Sequence, residues 1–354
     1  MVIDNSKPVA IVDSHSHISQ IKDIAQYIRM LENNTLDYLN ILSLPSYDDE
    51  RYILNPLCIL AKASYPKKIY TFGSLNHFSA KYASQKKDYA KQVENLIKMG
   101  FDGIKMWEGK PNITKQIDLP LNSPEYDDFY TYLEKNAIPV TSHIADPKEL
   151  WDKENVPKWA VDNGWSYIDG TFTPNEEFYT QVEDVLARYT QLKITFAHFF
   201  FMSADIDRAS KYLEKWPSVN FDVTPGMEMY VNFSKRPDEW RDFFIKYQNR
   251  ILFGTDNGYS GVSLYGISFV RKFLETNDEF ENDGVLYRGL KLPIEVLNNI
   301  YFNNFMRFIN FRSNPVNLNM AIDYYEHIPE FISSNAILKE QYIQVIDSLK
   351  ELNM

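Results

Sequence analysis

The stretch Val9-Ala10-Ile11-Val12-Asp13-Ser14-His15-Ser16-His17 runs from four apolar residues into two histidines two positions apart. Side chains at i and i+2 of a strand point to the same face. Both imidazoles can therefore converge on one point, as two ligands of one metal ion must. A lone His-x-His is a weak signal. It gains weight here because further strand-like runs end on or near Lys105, His143, His198 and Asp256.

Strand-like and helix-like segments alternate along the chain. Runs at 9–13, 38–44, 69–73, 103–106, 139–143, 193–198, 219–223 and 251–254 are short, rich in β-branched or aromatic residues and followed by polar or turn residues. A helix expected over 81–99 is closed by Gly100, a left-handed stop. Ser123-Pro124 reads as an N-cap followed by proline at the first helical position. Thr173-Pro174-Asn175-Glu176 adds capping-box spacing. Eight strands with intervening helices predict a parallel sheet closed into a TIM, or (β/α)8, barrel. The competing open doubly wound sheet has no Gly-x-Gly-x-x-Gly turn after any strand to support it.

Two stretches exceed a minimal barrel. Residues 145–170 form a long connection containing Trp151, Trp159, Trp165 and Tyr167, the composition of a lid or binding loop rather than of a disordered one. After an expected eighth helix at 293–310, segments 320–332 and 336–352 read as a helical extension packed on the barrel exterior. The expected organisation is a metal-dependent barrel over 1–312 and an extension over 313–354 that is not an independent domain.

Composition narrows the function classes. Hydrophobic content of 44% with 24% charged residues is that of a soluble globular protein. A net charge of −11 argues against nucleic acid and anionic membranes, whose phosphates select basic surfaces. No signal-peptide core and no apolar run of spanning length is present, so a cytoplasmic location is expected. The single cysteine, Cys58, sits in an apolar run and reads as a packed thiol. A small molecule is the expected partner, with self-association left open.

Residues at the C-terminal ends of barrel strands surround one cavity. Four of the six histidines, with Lys105 and Asp256, occupy such positions. One buried histidine is more often a hydrogen-bonded core residue than a ligand, but coincident strand ends reverse that preference toward a metal centre.

The order His-x-His, Lys, His, His, Asp on successive strands resembles the amidohydrolase superfamily. The contexts Ile11-Val12-Asp13-Ser14-His15-Ser16-His17, Gly103-Ile104-Lys105-Met106, Ala197-His198 and Phe253-Gly254-Thr255-Asp256 are similar to its amidohydrolase-related branch, which includes aminocarboxymuconate semialdehyde decarboxylase. The resemblance implies that His15, His17, His143 and Asp256 bind one divalent metal, zinc being the expected ion. It also implies that His198 holds or shuttles a proton of the water at that metal. A bound divalent ion brings the pKa of its water to about 7, and a neighbouring imidazole can move protons there. In binuclear branches a lysine at the position of Lys105 is carboxylated and bridges two metals, with His143 and His198 ligating the second ion. In mononuclear ones it pairs with the aspartate or contacts substrate.

Weaker readings concern the surroundings. Trp107 shares strand parity with Lys105 and could wall the pocket; Glu108, Lys110 and Tyr259 lie just beyond strand ends and could face substrate. Asp222 and Thr224 could support the site or touch substrate. Of Phe199-Phe200-Phe201, one ring could line it, while His77 reads as a surface-loop residue and His327 as structural or exposed. The expected activity is a metal-dependent hydrolase acting on an ester, lactone or amide. The alternative is a metal-dependent nonoxidative decarboxylase, and the remote one a non-catalytic metabolite-binding barrel.

Overall fold

The computed structural model describes residues 10–46, 48, 50–77, 88–226, 228–258 and 261–354. Eight parallel strands pair in chain order: β1 Val12–Ser16, β2 Tyr38–Leu42, β3 Ile69–Gly73, β4 Gly103–Gly109, β5 Val140–Ile144, β6 Ile194–Phe196, β7 Val219–Asp222 and β8 Ile251–Leu252. The edges of β1 and β8 also meet. The Ser14 amide donates to the Phe253 carbonyl (3.0 Å) and the His17 amide to the Asn257 carbonyl (2.7 Å). Buried Asp13 reinforces this seam, accepting from the Thr255 hydroxyl (2.5 Å) and the Ser16 hydroxyl (2.7 Å). The structure is the expected (β/α)8 barrel. Each expected strand is present. β1 begins later than expected and continues through His15, and β6 stops short of His198.

Helices cover the strands through one large apolar cluster that includes buried Cys58. The helix Tyr89–Met99 ends at Gly100 with φ 114°, as the sequence requires; its expected start at 81–87 lies outside the described residues. The capping box at Thr173 does not form. Helix Asn175–Arg188 starts after Pro174 without a side-chain cap, and the Thr173 carbonyl instead accepts from the Trp151 indole (3.0 Å). The eighth helix is interrupted by a π-turn, Asn299–Asn303. Beyond it, helices Leu318–Tyr325, Glu330–Ser333 and Ala336–Leu352 follow. Tyr342 and Tyr325 of this region are buried, and Tyr52 packs edge-on against Phe331 at 5.3 Å. Among the described residues no helix is long and apolar enough to cross a membrane.

Two additions flank the C-terminal strand ends. The segment after β5 folds on its own apolar cluster of Leu150, Ala160 and Tyr167, with Trp151, Trp159 and Trp165 packed against it. A hairpin, β9 Glu279–Asn282 and β10 Val285–Arg288, follows helix Tyr265–Glu275. Its turn residues Asp283 (φ 51°) and Gly284 (φ 76°) both lie in the left-handed region, the geometry an Asp-Gly hairpin turn favours.

Candidate metal centre

His15 and His17 reach the same cavity because they share a face of β1 and of its continuation. Asp256 comes from the turn after β8 and has φ 58°. Its Oδ1 lies 3.6 Å from His15 Nε2 and 3.2 Å from His17 Nε2. One ligand atom from each of these three residues lies within 4.8 Å of the others. Backbone economy permits this approach. A Cβ on Gly254 would meet the Thr224 hydroxyl oxygen at 2.3 Å and His15 Cβ at 2.8 Å, so β8 can pass behind His15 only as glycine.

Both imidazoles are anchored by the nitrogen that faces away from Asp256. His15 Nδ1 donates to Asp222 Oδ2 at 2.8 Å, and His17 Nδ1 donates to the Leu42 carbonyl at 2.8 Å. That assigns the proton to Nδ1 in each ring and leaves both Nε2 lone pairs as acceptors, the form in which imidazole binds metal. Burial holds His15 well below its ordinary pKa, with the Lys105 charge adding to the effect, so the ring stays neutral. Burial alone would raise the Asp256 carboxyl. The neighbouring His17, His15 and His198 rings overcome it and hold the group well below the usual carboxylate range. Two imidazole nitrogens facing a carboxylate fit a divalent cation.

Lys105 Nζ stands 3.2 Å from His15 Nε2. Burial lowers its pKa to about 8, against the opposing charges of Asp222, Asp256 and Glu108. His198 sits on a left-handed turn, with φ near 54° from His198 through Phe200 and 51° at Phe201. Such a conformation costs non-glycine residues roughly 1–2 kcal/mol each. Buried packing offsets it: the Phe199 ring lies 5.0 Å from Phe221 and 5.5 Å from Trp240, and the Tyr179 hydroxyl donates to the Phe200 carbonyl. Asp222 Oδ1 also accepts the His198 amide at 2.9 Å. One buried carboxylate thus fixes both His15 and the turn that carries His198. The His198 ring lies 5.7 Å from that of His15 and stacks on Phe201.

His143 lies in the same cavity, with its ring 4.9 Å from that of His198, but outside the three-ligand group. Its Nε2 is 3.1 Å from Asp146 Oδ1. Asp146 also accepts Lys110 Nζ at 2.7 and 2.9 Å and the Tyr167 hydroxyl at 2.5 Å. Burial lowers His143 to about 3. Neither Asp146 nor this buried network was recognised in the sequence; the signal available was its place three residues after His143.

Among the described residues, the cavity of about 230 Å³ above the three ligands is walled by Trp107, Trp159, Trp165, Phe201, Leu44 and Leu150. Trp107 and Lys105 face it as their parity requires. Glu108 does not, and the expectation that it faces substrate is corrected. It lies on the opposite face of β4, 0% exposed, with Oε1 2.8 Å from His77 Nε2. His77 is accordingly buried rather than on the surface, and its Nδ1 lies 3.0 Å from the Tyr89 hydroxyl. His327 is exposed. Tyr259 falls outside the described residues.

No family model matches the chain, and no curated protein matches it. Solved structures do. A probable 2-pyrone-4,6-dicarboxylic acid hydrolase from Acinetobacter baumannii, solved with citric acid bound, superposes with a TM-score of 0.53 at 13% identity, over 86% of this chain and 100% of that one. The 5-carboxyvanillate decarboxylase of Sphingomonas paucimobilis gives 0.52 at 10% identity, over 85% and 99%. A protein described as amidohydrolase II gives 0.51 at 16% identity, over 85% and 100%. The chain therefore shares the barrel fold of these solved structures. At these identities the likeness is one of fold.

Proposed function

We propose that this chain is a metal-dependent hydrolase acting on an ester, lactone or amide bond of a small molecule. The carrying observation is the convergence of His15, His17 and Asp256 within 4.8 Å at a cavity, with both imidazole Nδ1 atoms already committed elsewhere. These three residues would hold the ion, zinc being the expected one. His143 would join them once its Nε2 leaves Asp146. Bound there, a divalent ion supplies Lewis-acid polarisation of a carbonyl and acidifies a water.

The remaining steps belong to the chain. His198, held by Asp222 and stacked on Phe201, moves the proton between the attacking water and the leaving group. Asp256, 30% accessible, can take that proton transiently through its second oxygen. Lys105 orients the substrate carbonyl, and its lowered pKa also supports the alternative of carboxylation with two ions, in which His143 and His198 become ligands. Trp107 and the other indoles exclude water. A cytoplasmic enzyme of small molecules, with residues 313–354 as an extension of its barrel, is the matching context; the buried Tyr325 and Tyr342 support that division.

The test is a panel of lactones, esters and amides beside carboxylated aromatics, assayed with purified metal-loaded protein. Hydrolysis of a neutral ester, lactone or amide is expected. Release of carbon dioxide without any hydrolysis would instead make the protein a decarboxylase, an activity that one of its structural neighbours carries in its name.

A further inference from the structure

The site has a second chamber. A cavity of about 330 Å³ adjoins the first, and the two share Pro225, Gly226 and Asp256. The carboxylate that approaches both histidines therefore stands on their common boundary. The chambers differ in kind. The first is walled by indoles and aliphatic groups, with Lys105 and Lys110 as its cations. The second is the more polar of the two, drawing Asn257 and Ser263 from the loop after β8 and Asn282, Asp283 and Tyr287 from the hairpin, beside Tyr230 and Phe269. Among its described lining residues the charged groups are both carboxylates, Asp256 and Asp283.

The hairpin is held as a wall. The Tyr265 hydroxyl donates to Asp283 Oδ2 at 2.6 Å, the Arg288 amide donates to the Ser234 hydroxyl at 3.0 Å, and Tyr287 packs edge-on against Phe269 at 5.1 Å. Carboxylate and carboxamide groups beside aromatic faces suit hydroxyl and ammonium groups, which donate hydrogen bonds while their carbon skeleton lies on the rings. An anionic group would meet like charge there.

Building on the hydrolase reading, we propose that the second chamber is a leaving-group subsite, and that the substrate has two parts joined by an ester or amide. An apolar, aromatic-sized acyl part sits among the tryptophans, and a hydroxyl- or amino-bearing, uncharged or cationic part sits against the hairpin. In the reaction the oxygen of water bonds to the acyl carbon and the acyl C–O or C–N bond breaks. Its electron pair goes to the departing oxygen or nitrogen, which takes one proton from the water. The products are a carboxylic acid and an alcohol or amine, with no change in oxidation state.

Three benzoate esters with one acyl group test this on the metal-loaded enzyme: methyl, 2,3-dihydroxypropyl and 2-carboxyethyl. The expected order of kcat/KM is dihydroxypropyl, then methyl, then carboxyethyl, with steps of about tenfold, the worth of one or two hydrogen bonds. Asp283→Asn should lower the ratio of dihydroxypropyl to methyl and raise that of carboxyethyl to methyl. Equal rates for the three esters, or ratios unmoved in Asp283→Asn and in Tyr287→Leu alike, overturn the proposal. If none of the three esters turns over, the lactone and amide panel decides the hydrolase reading separately, and calorimetric binding decides the subsite. Binding of 3-benzyloxypropane-1,2-diol about tenfold tighter than benzyl methyl ether supports it, and equal affinities overturn it.

Discussion

Asp222→Asn perturbs the site through a residue that touches neither the cavity nor the ligand atoms of the proposed metal. Oδ2 holds His15 Nδ1, while Oδ1 accepts the amides of His198 (2.9 Å) and Thr224 (3.1 Å). A carboxamide has one acceptor oxygen. If it stays on the two amides, its NH2 faces His15 Nδ1 as donor against donor. The ring must then lose that bond or move its proton to Nε2, the atom that faces Asp256. Loss of such an outer partner typically costs 10–100-fold in metal affinity, or about 1.4–2.7 kcal/mol. Burial raises the Asp222 carboxyl, so a neutral isostere relieves a desolvation penalty and the fold should persist. Zinc-loaded wild type and variant would be titrated with a competing chelator, with thermal melts of the metal-free proteins as control. An affinity within twofold of wild type, in a folded variant, would refute the orienting role.

His198→Ala should retain the ion and lose about 10²–10⁴ of kcat, the usual worth of a positioned proton carrier; loss of an ion in metal counting would instead mark His198 as a ligand of a binuclear site. Glu228 is largely buried, its Oε2 has no hydrogen-bond partner among the described residues, and burial raises its pKa to about 7. The folded state therefore binds more protons than the unfolded one between the usual carboxylate range and pH 7, and stability falls as pH rises through that window. Glu228→Gln should remove this loss, at most about 3 kcal/mol. In urea titrations its advantage over wild type should grow from pH 4.5 to pH 8, and a gap that stays flat contradicts the argument.

The strand ends were legible because barrel geometry turns sequence position into spatial position: once eight parallel strands are read, His15, His17, Lys105, His143 and His198 must face one cavity. Local spacing could not supply what depends on rotamers and long-range partners. His143 has the expected place, yet its Nε2 is taken by Asp146, a contact set by Lys110 and Tyr167 from two other segments. Glu108 was misread because its strand continues to Gly109 and parity turns it outward, toward His77. The left-handed turn at His198 was hidden because phenylalanines, which locally disfavour positive φ, are held there by their packing. The hairpin had a readable signal in Asp283-Gly284, but its strands alternate weakly and are largely exposed.

The claim that His15, His17 and Asp256 form a catalytic metal centre is tested most directly by counting metal and activity together. Elemental analysis of mildly purified wild type should find about one divalent ion per chain, or two if Lys105 is a carboxylated bridge. A strong chelator should remove ion and activity in parallel, and adding zinc back should restore both. His17→Ala should carry no ion under the same treatment. Wild-type protein stripped of metal and still fully active in chelator would contradict the account.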